Sequence, residues 1–78
     1  MQRFIWTRHV EKRMKQRGVT HDHIRATVRY PDKKRPGKLP KTFKFWKEID
    51  DKTCFVVVEL LEKDQVVVIT AGWKEGSP

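Results

Sequence analysis

Thr53-Cys54-Phe55-Val56-Val57-Val58-Glu59-Leu60-Leu61, then Glu62-Lys63-Asp64, then Gln65-Val66-Val67-Val68-Ile69-Thr70-Ala71-Gly72-Trp73, is the stretch that decides the fold. Both apolar runs are rich in β-branched residues, which suit a pleated surface better than a helix. A short polar break separates them, so they read as a hairpin. Residues 53–61 are apolar at nearly every position, the pattern of a central strand covered on both faces. In the second run Thr70 and Gly72 share one face, and Ala71 and Trp73 share the other. Cys54 opens the first run and reads as a small core residue rather than a nucleophile.

Working outward, Thr42–Ile49 alternates imperfectly, with Phe43, Phe45 and Ile49 on one face and Trp46 on the other. Residues 50–52 are short enough for a tight turn, though they lack the Asn-Gly signature. Residues 32–41 hold two prolines, a glycine and five basic residues, and are expected to form a basic loop. Two helices precede it. Thr7 caps a helix over residues 8–17 that Gly18 ends; Thr20 caps a second from His21 to about Tyr30, stopped by Pro31. Arg3–Trp6 is a candidate first strand. The expectation is a single α+β domain over residues 1–78 with a flexible tail at 75–78. Two N-terminal helices pack on one face of a three- to four-stranded antiparallel sheet.

Charge narrows the choice of partner. The chain of 78 residues carries a formal charge of +8, and the halves differ: residues 1–41 hold 13 Lys and Arg against 3 Asp and Glu, residues 42–78 hold 5 against 7. Such a one-sided field draws in polyanions, so nucleic acid is the expected partner. A merely charge-rich, heat-tolerant surface would mix its signs instead. The longest apolar run is far too short to span a bilayer, the first residues have no signal-peptide core, and the single cysteine fits a reducing compartment. A cytoplasmic location, without membrane contact, is expected.

The first helix carries the candidate chemistry. At 100° per residue Val10 and Met14 form a narrow apolar face, while His9, Arg13 and Arg17 form a stripe along its border with solvent. Two guanidiniums offer forked donors to phosphate oxygens, and an imidazole can move a proton near neutral pH. Together they suit metal-free RNA cleavage: a base takes the ribose 2′-OH proton, cations stabilise the transition state, and an acid protonates the leaving 5′-oxygen. The same residues would also serve if His9 caps or packs and the arginines merely lie over the sheet edge. Thr70 can donate to a phosphate. His21 and His23 sit two apart at a helix start and cannot share an ion unaided, so no metal or cofactor is expected. Lys33, Lys34, Arg35, Lys38, Lys41 and Lys44 form a basic tract, with Trp46 at its end and Trp73 at the end of the last strand as aromatics able to stack a base. Phe43 and Phe45 read as core.

The order of features resembles a known family. Thr7 and His9 start the first helix; Arg13 and Arg17-Gly18-Val19-Thr20 follow, then a helix ending at Pro31-Asp32, and the chain closes on Val68-Ile69-Thr70-Ala71-Gly72-Trp73. This is similar to the small prokaryotic family called domain of unknown function 4258, grouped with the RelE and BrnT toxins and wider barnase-like ribonucleases. The resemblance implies a RelE-like fold and an RNA-binding, toxin-like protein, a metal-independent endoribonuclease of the mRNA interferase type in a toxin–antitoxin system. Its partners would be RNA, ribosome-bound mRNA included, and an acidic antitoxin protein. The family's histidine, arginines and threonine match His9, Arg13, Arg17 and Thr70. RelE-type toxins often use a terminal tyrosine; Trp73 stands here instead and cannot transfer a proton as a phenol does. A non-catalytic nucleic-acid-binding module and a protein-interaction module are the competing expectations.

Overall fold

In the computed structural model, which describes residues 3–62 and 64–74, the two threonines start the two helices as the sequence requires. Helix α1 spans Arg8–Arg17: the Thr7 hydroxyl accepts from the Val10 amide at its start, and Gly18 ends it at φ 69°. Helix α2 spans His21–Arg29 and opens on a reciprocal capping box, in which the Thr20 hydroxyl accepts from the His23 amide while His23 Nδ1 accepts from the Thr20 amide. The expected tail at 75–78 lies outside the described residues, as does Lys63 of the last turn.

The chain is α+β, with both helices on one face of a sheet. The sheet is larger than expected and mixed. It has five strands, β1 (Arg3–Trp6), β2 (Lys33–Pro36), β3 (Thr42–Ile49), β4 (Lys52–Leu60) and β5 (Gln65–Lys74), in the order β1-β5-β4-β3-β2. Strands β2 to β5 form an antiparallel meander. Strand β1 runs parallel to β5, covering it from Gln65 to Val68, so the expected purely antiparallel sheet is corrected. The expected basic loop at 32–41 is corrected too, because its first half is β2. That segment is composed like a loop, yet lysine and proline are tolerated on an edge strand, where one row of backbone groups faces water. Asp32 fixes it in place: its amide donates to the Trp46 carbonyl, and its carboxylate accepts from the Glu48 amide.

Helix α1 lies over β5, and α2 lies over β4 and β3. Between helices and sheet, Val10, Met14, Val19, Ile24 and Val28 meet Phe45, Cys54, Val56, Val58, Val66, Val68 and Ala71. Strand β4 is central in the sheet, but only this face is dry; Phe55 and Val57 on the other are half-buried. Cys54 belongs to the core as expected, and burial pushes its thiol up, partly opposed by a hydrogen bond with Thr27.

One irregularity sets the faces of β5. Val58 pairs with Val68 but Val57 pairs with Thr70, so Ile69 is an extra residue, a β-bulge. The phase flips there. Val66 and Val68 face the helices before the bulge, and Ala71 and Trp73 do so after it, leaving Thr70 and Gly72 on the open face.

Candidate nucleic-acid interface

The face of the sheet turned away from the helices is organised in cross-strand rows. Registers place Lys33 of β2, Trp46 of β3, Phe55 of β4 and Gly72 of β5 side by side. The next row is Arg35, Lys44, Val57 and Thr70; on the other side Glu48, Thr53 and Lys74 form a third. Residues directly opposite one another across strands share a face, with strands about 4.8 Å apart. A basic and aromatic surface therefore runs across four strands.

Its centre is an aromatic pair under cationic cover. The Trp46 and Phe55 rings lie 5.3 Å apart at 33°. The Lys33 ammonium sits 5.6 Å from the Trp46 ring centre, and that of Lys74 sits 5.9 Å from Trp46 and 5.1 Å from Phe55. This cover leaves Trp46 only 7% exposed although no helix packs on it. Its indole N–H is buried without a hydrogen-bond acceptor among the described residues, which costs about 1–3 kcal/mol relative to a satisfied donor.

At the far end of the row, α1 contributes one side chain. Strand β5 loses its β1 neighbour after Val68. Arg17 reaches this uncovered stretch and donates from Nη1 to the Ala71 carbonyl at 2.8 Å. A Cβ on Gly72 would lie 3.0 Å from Arg17 Nη1 and 3.2 Å from its Cδ. Because Gly72 faces the open side, the Arg17 side chain passes around the strand edge to the end of the row. The glycine is what lets it do so.

A family model described as Domain of unknown function (DUF4258) matches residues 6–73, from the last residue of β1 almost to the end of β5. The chain belongs to the DUF4258 family. No curated protein and no solved structure gives a significant match.

This DUF4258 domain divides the residues that its sequence singles out. Arg17 alone of the helix stripe is brought to the sheet's open end. His9 is exposed and Arg13 half-buried on α1, and neither side chain makes a hydrogen bond or ion pair with another described residue. At about 1.5 Å per residue, His9 lies about 12 Å along the axis from Arg17. Thr70 is half-buried on the open face, one row from Gly72, so its hydroxyl and α1 lie on opposite sides of the sheet.

The basic tract is divided as well. Lys33, Arg35, Lys44 and Trp46 share the open face. Lys34 points the other way, over Phe43 and Phe45, and Lys38 and Lys41 lie in the β2–β3 connection. Trp73 faces the helices, edge-on to His23 at 4.9 Å, with its Nε1 donating to the Gly18 carbonyl at 3.4 Å. It ties β5 to the link between the helices. Among the other histidines, His21 packs edge-on to Trp6 and pairs with Glu11 at 3.2 Å. Sequence reasoning missed Phe55 and Lys74. Phe55 hid in a run that looked buried throughout; only the pairing of Trp46 with Phe55 and of Thr53 with Lys74 reveals them.

Proposed function

We propose that this domain is a toxin-like RNA-binding protein of the cytoplasm that takes single-stranded RNA across its open sheet face. The observation that carries the reading is the pair of adjacent rows, Lys33–Trp46–Phe55–Gly72 and Arg35–Lys44–Val57–Thr70. Lysines and an arginine there can follow the phosphates while the aromatic pair takes a base. Stacking a base is worth about 1–3 kcal/mol, whereas an exposed ammonium over a ring is worth about 0.5–1 kcal/mol. The three lysine contacts together are worth about 1.5–3 kcal/mol, close to the stacking gain, so the base displaces the cover because the freed ammonium groups then meet phosphate. A RelE-like assignment of the fold rests on the resemblance and on two helices preceding a meander.

The test is fluorescence anisotropy of a labelled single-stranded oligoribonucleotide titrated at several salt concentrations. With Lys33, Arg35, Lys44 and Lys74 engaged, log K should fall with log salt at a slope of about −3. Absent or salt-insensitive binding refutes the reading.

A second reading adds metal-independent cleavage. It is favoured by the position of Arg17, whose guanidinium stands at the β5 edge beside the Thr70–Gly72 step. Here Arg17 would steady phosphate charge at the β5 edge, and the roles that the resemblance gives His9, Arg13 and Thr70 would require the RNA to run from the open face around that edge and along α1, since His9 lies about 12 Å up the helix and Thr70 across the sheet. Incubation with RNA in EDTA followed by end-group analysis should then yield 2′,3′-cyclic phosphates. Folded His9→Ala and Arg17→Ala variants should each lose them; cleavage retained in both eliminates this mechanism.

A further inference from the structure

The open face changes character across the sheet: basic and aromatic toward β2, it is apolar toward β1. Ile5 of β1, Val67 of β5, Glu59 of β4 and Thr42 of β3 form a further cross-strand row. Ile69 and Val57 lie on one side of this row, and the paired Arg3 and Gln65 on the other. Phe4, Trp6, Val58, Val66 and Val68 pack into the core under the helices, so the residues alternating with them face outward. Ile5 is 36% and Ile69 40% exposed, and Val57 and Val67 are half-buried although no helix covers them. A sheet face turned to water is ordinarily polar. Four branched apolar side chains together on such a face mark an interaction site. Arg3 and Glu59 flank the patch with opposite charges, and neither side chain has a hydrogen-bond or ion-pair partner among the described residues. They stand two strands and two residues apart, about 12 Å within one chain, too far to pair with each other.

We infer that this patch is where a second copy of the chain docks, face to face about a two-fold axis, with Arg3 of each copy on Glu59 of the other. The placement of the two charges carries the inference. The line that bisects the Arg3–Glu59 separation at right angles crosses β5 beside Val67 and continues past Ile5, each within about 2 Å of it at ordinary strand spacings. A two-fold axis along that line, between two facing sheets, exchanges the positions of Arg3 and Glu59. It also brings Ile5 and Val67 of both copies together at the centre. The patch is therefore complementary to itself, apolar on the axis and of opposite charge on its two sides. Packed sheets stand about 10 Å apart, which an arginine and a glutamate extended toward each other can bridge. Each copy carries a charge of +8, which opposes association and makes the dimer a weak one. The Lys33–Trp46–Phe55 row lies beyond Val57 and outside the contact, so the inference does not depend on the RNA-binding reading.

The experiment is sedimentation velocity of the full chain at fixed salt, over about 5–500 μM, the range in which interfaces smaller than about 1,200 Å² associate. The wild type should pass from monomer to dimer across that range. Arg3→Glu sets two like-charged contacts across the axis, as does Glu59→Arg, and each variant alone should dimerise at least about tenfold more weakly. An equimolar mixture of the two variants has opposite charges at both contacts again and should dimerise within about threefold of the wild type. That rescue is peculiar to a reciprocal contact between copies, because within one chain the two residues are too far apart to pair. Circular dichroism verifies that each variant is folded. Should a reversed chain fail to fold, Ile5→Lys replaces it: lysine is tolerated on an edge strand, and two of them at the axis should leave the chain monomeric. A wild type that stays monomeric throughout overturns the inference. So does a dimer that is indifferent to both reversals, or to Ile5→Lys, since its contact then lies on another face. Variants that each dissociate and do not recover on mixing overturn the Arg3–Glu59 pairing.

Discussion

Replacing Gly72 by alanine tests the contact that joins α1 to the open sheet face. The new Cβ would stand 3.0 Å from Arg17 Nη1 and 3.2 Å from its Cδ, so the end of the arginine must give by a few tenths of an ångström, which strains its 2.8 Å bond to the Ala71 carbonyl, with loss of the bond as the upper limit. A hydrogen bond from a charged donor contributes about 1.5–3 kcal/mol. Arg17 is exposed and water competes for it, so about 1 kcal/mol is the fair figure. Against that loss, Gly→Ala restricts the unfolded chain and stabilises by about 0.4–1 kcal/mol. The two nearly cancel, and Gly72→Ala should be close to neutral in the native chain. In an Arg17→Ala background the bond and the clash are both gone, so the same substitution should stabilise by about 0.4–1 kcal/mol. The coupling thus lies between about 0.3 kcal/mol for a strained bond and about 1 kcal/mol for a lost one, the latter about 4–8 °C between the two Tm shifts. Urea unfolding followed by far-ultraviolet circular dichroism, with unchanged m-values, measures it. A coupling below about 0.3 kcal/mol would falsify the claim that Arg17 occupies the space Gly72 leaves.

Other parts of the molecule can be tested separately. Burial holds the Cys54 thiol above its ordinary range, so as pH rises the unfolded chain gives up its proton first and stability falls. Between about pH 8 and 10 the wild type should lose more stability than Cys54→Ser, and native Cys54 should alkylate slowly; equal pH profiles count against it. Asp50 and Asp51 both sit at positive φ, 52° and 67°, in the β3–β4 turn, so Asp51→Gly should relieve about 1 kcal/mol and raise Tm by about 4–8 °C in a thermal melt. Lys44→Gln should reduce the magnitude of the RNA salt slope by about 0.7; an unchanged slope removes Lys44 from the interface.

The helices were legible residue by residue because their signals are local. Thr7, Gly18 and Thr20 act on backbone groups within one turn, and the structure uses each of them that way. The hairpin of β4 and β5 was legible from its valines, and Cys54, Phe43 and Phe45 from the apolar pattern. Strand β2 was not. Lys33–Pro36 has no intrinsic strand signal and becomes a strand because β3 offers it a pairing edge and Asp32 holds it there. The candidate site was legible as a list of basic and aromatic residues but not as a surface. Which of them share a face depends on register, which separates Lys34 from Lys33 and Trp73 from Trp46.

What the sequence determined alone, then, was composition of charge, the two capped helices, the apolar hairpin and the α+β class, all set by short-range periodicity and capping chemistry. The tertiary structure decided the rest through pairings between distant residues. The bulge at Ile69 flips the phase of β5, so that Thr70 and Gly72 face outward while Ala71 and Trp73 join Val66 and Val68 under the helices. No alternation read along the chain contains that flip, because it exists only relative to β4. The same pairing puts Gly72 beside Phe55 and opens the edge that Arg17 fills from 54 or more residues away in sequence.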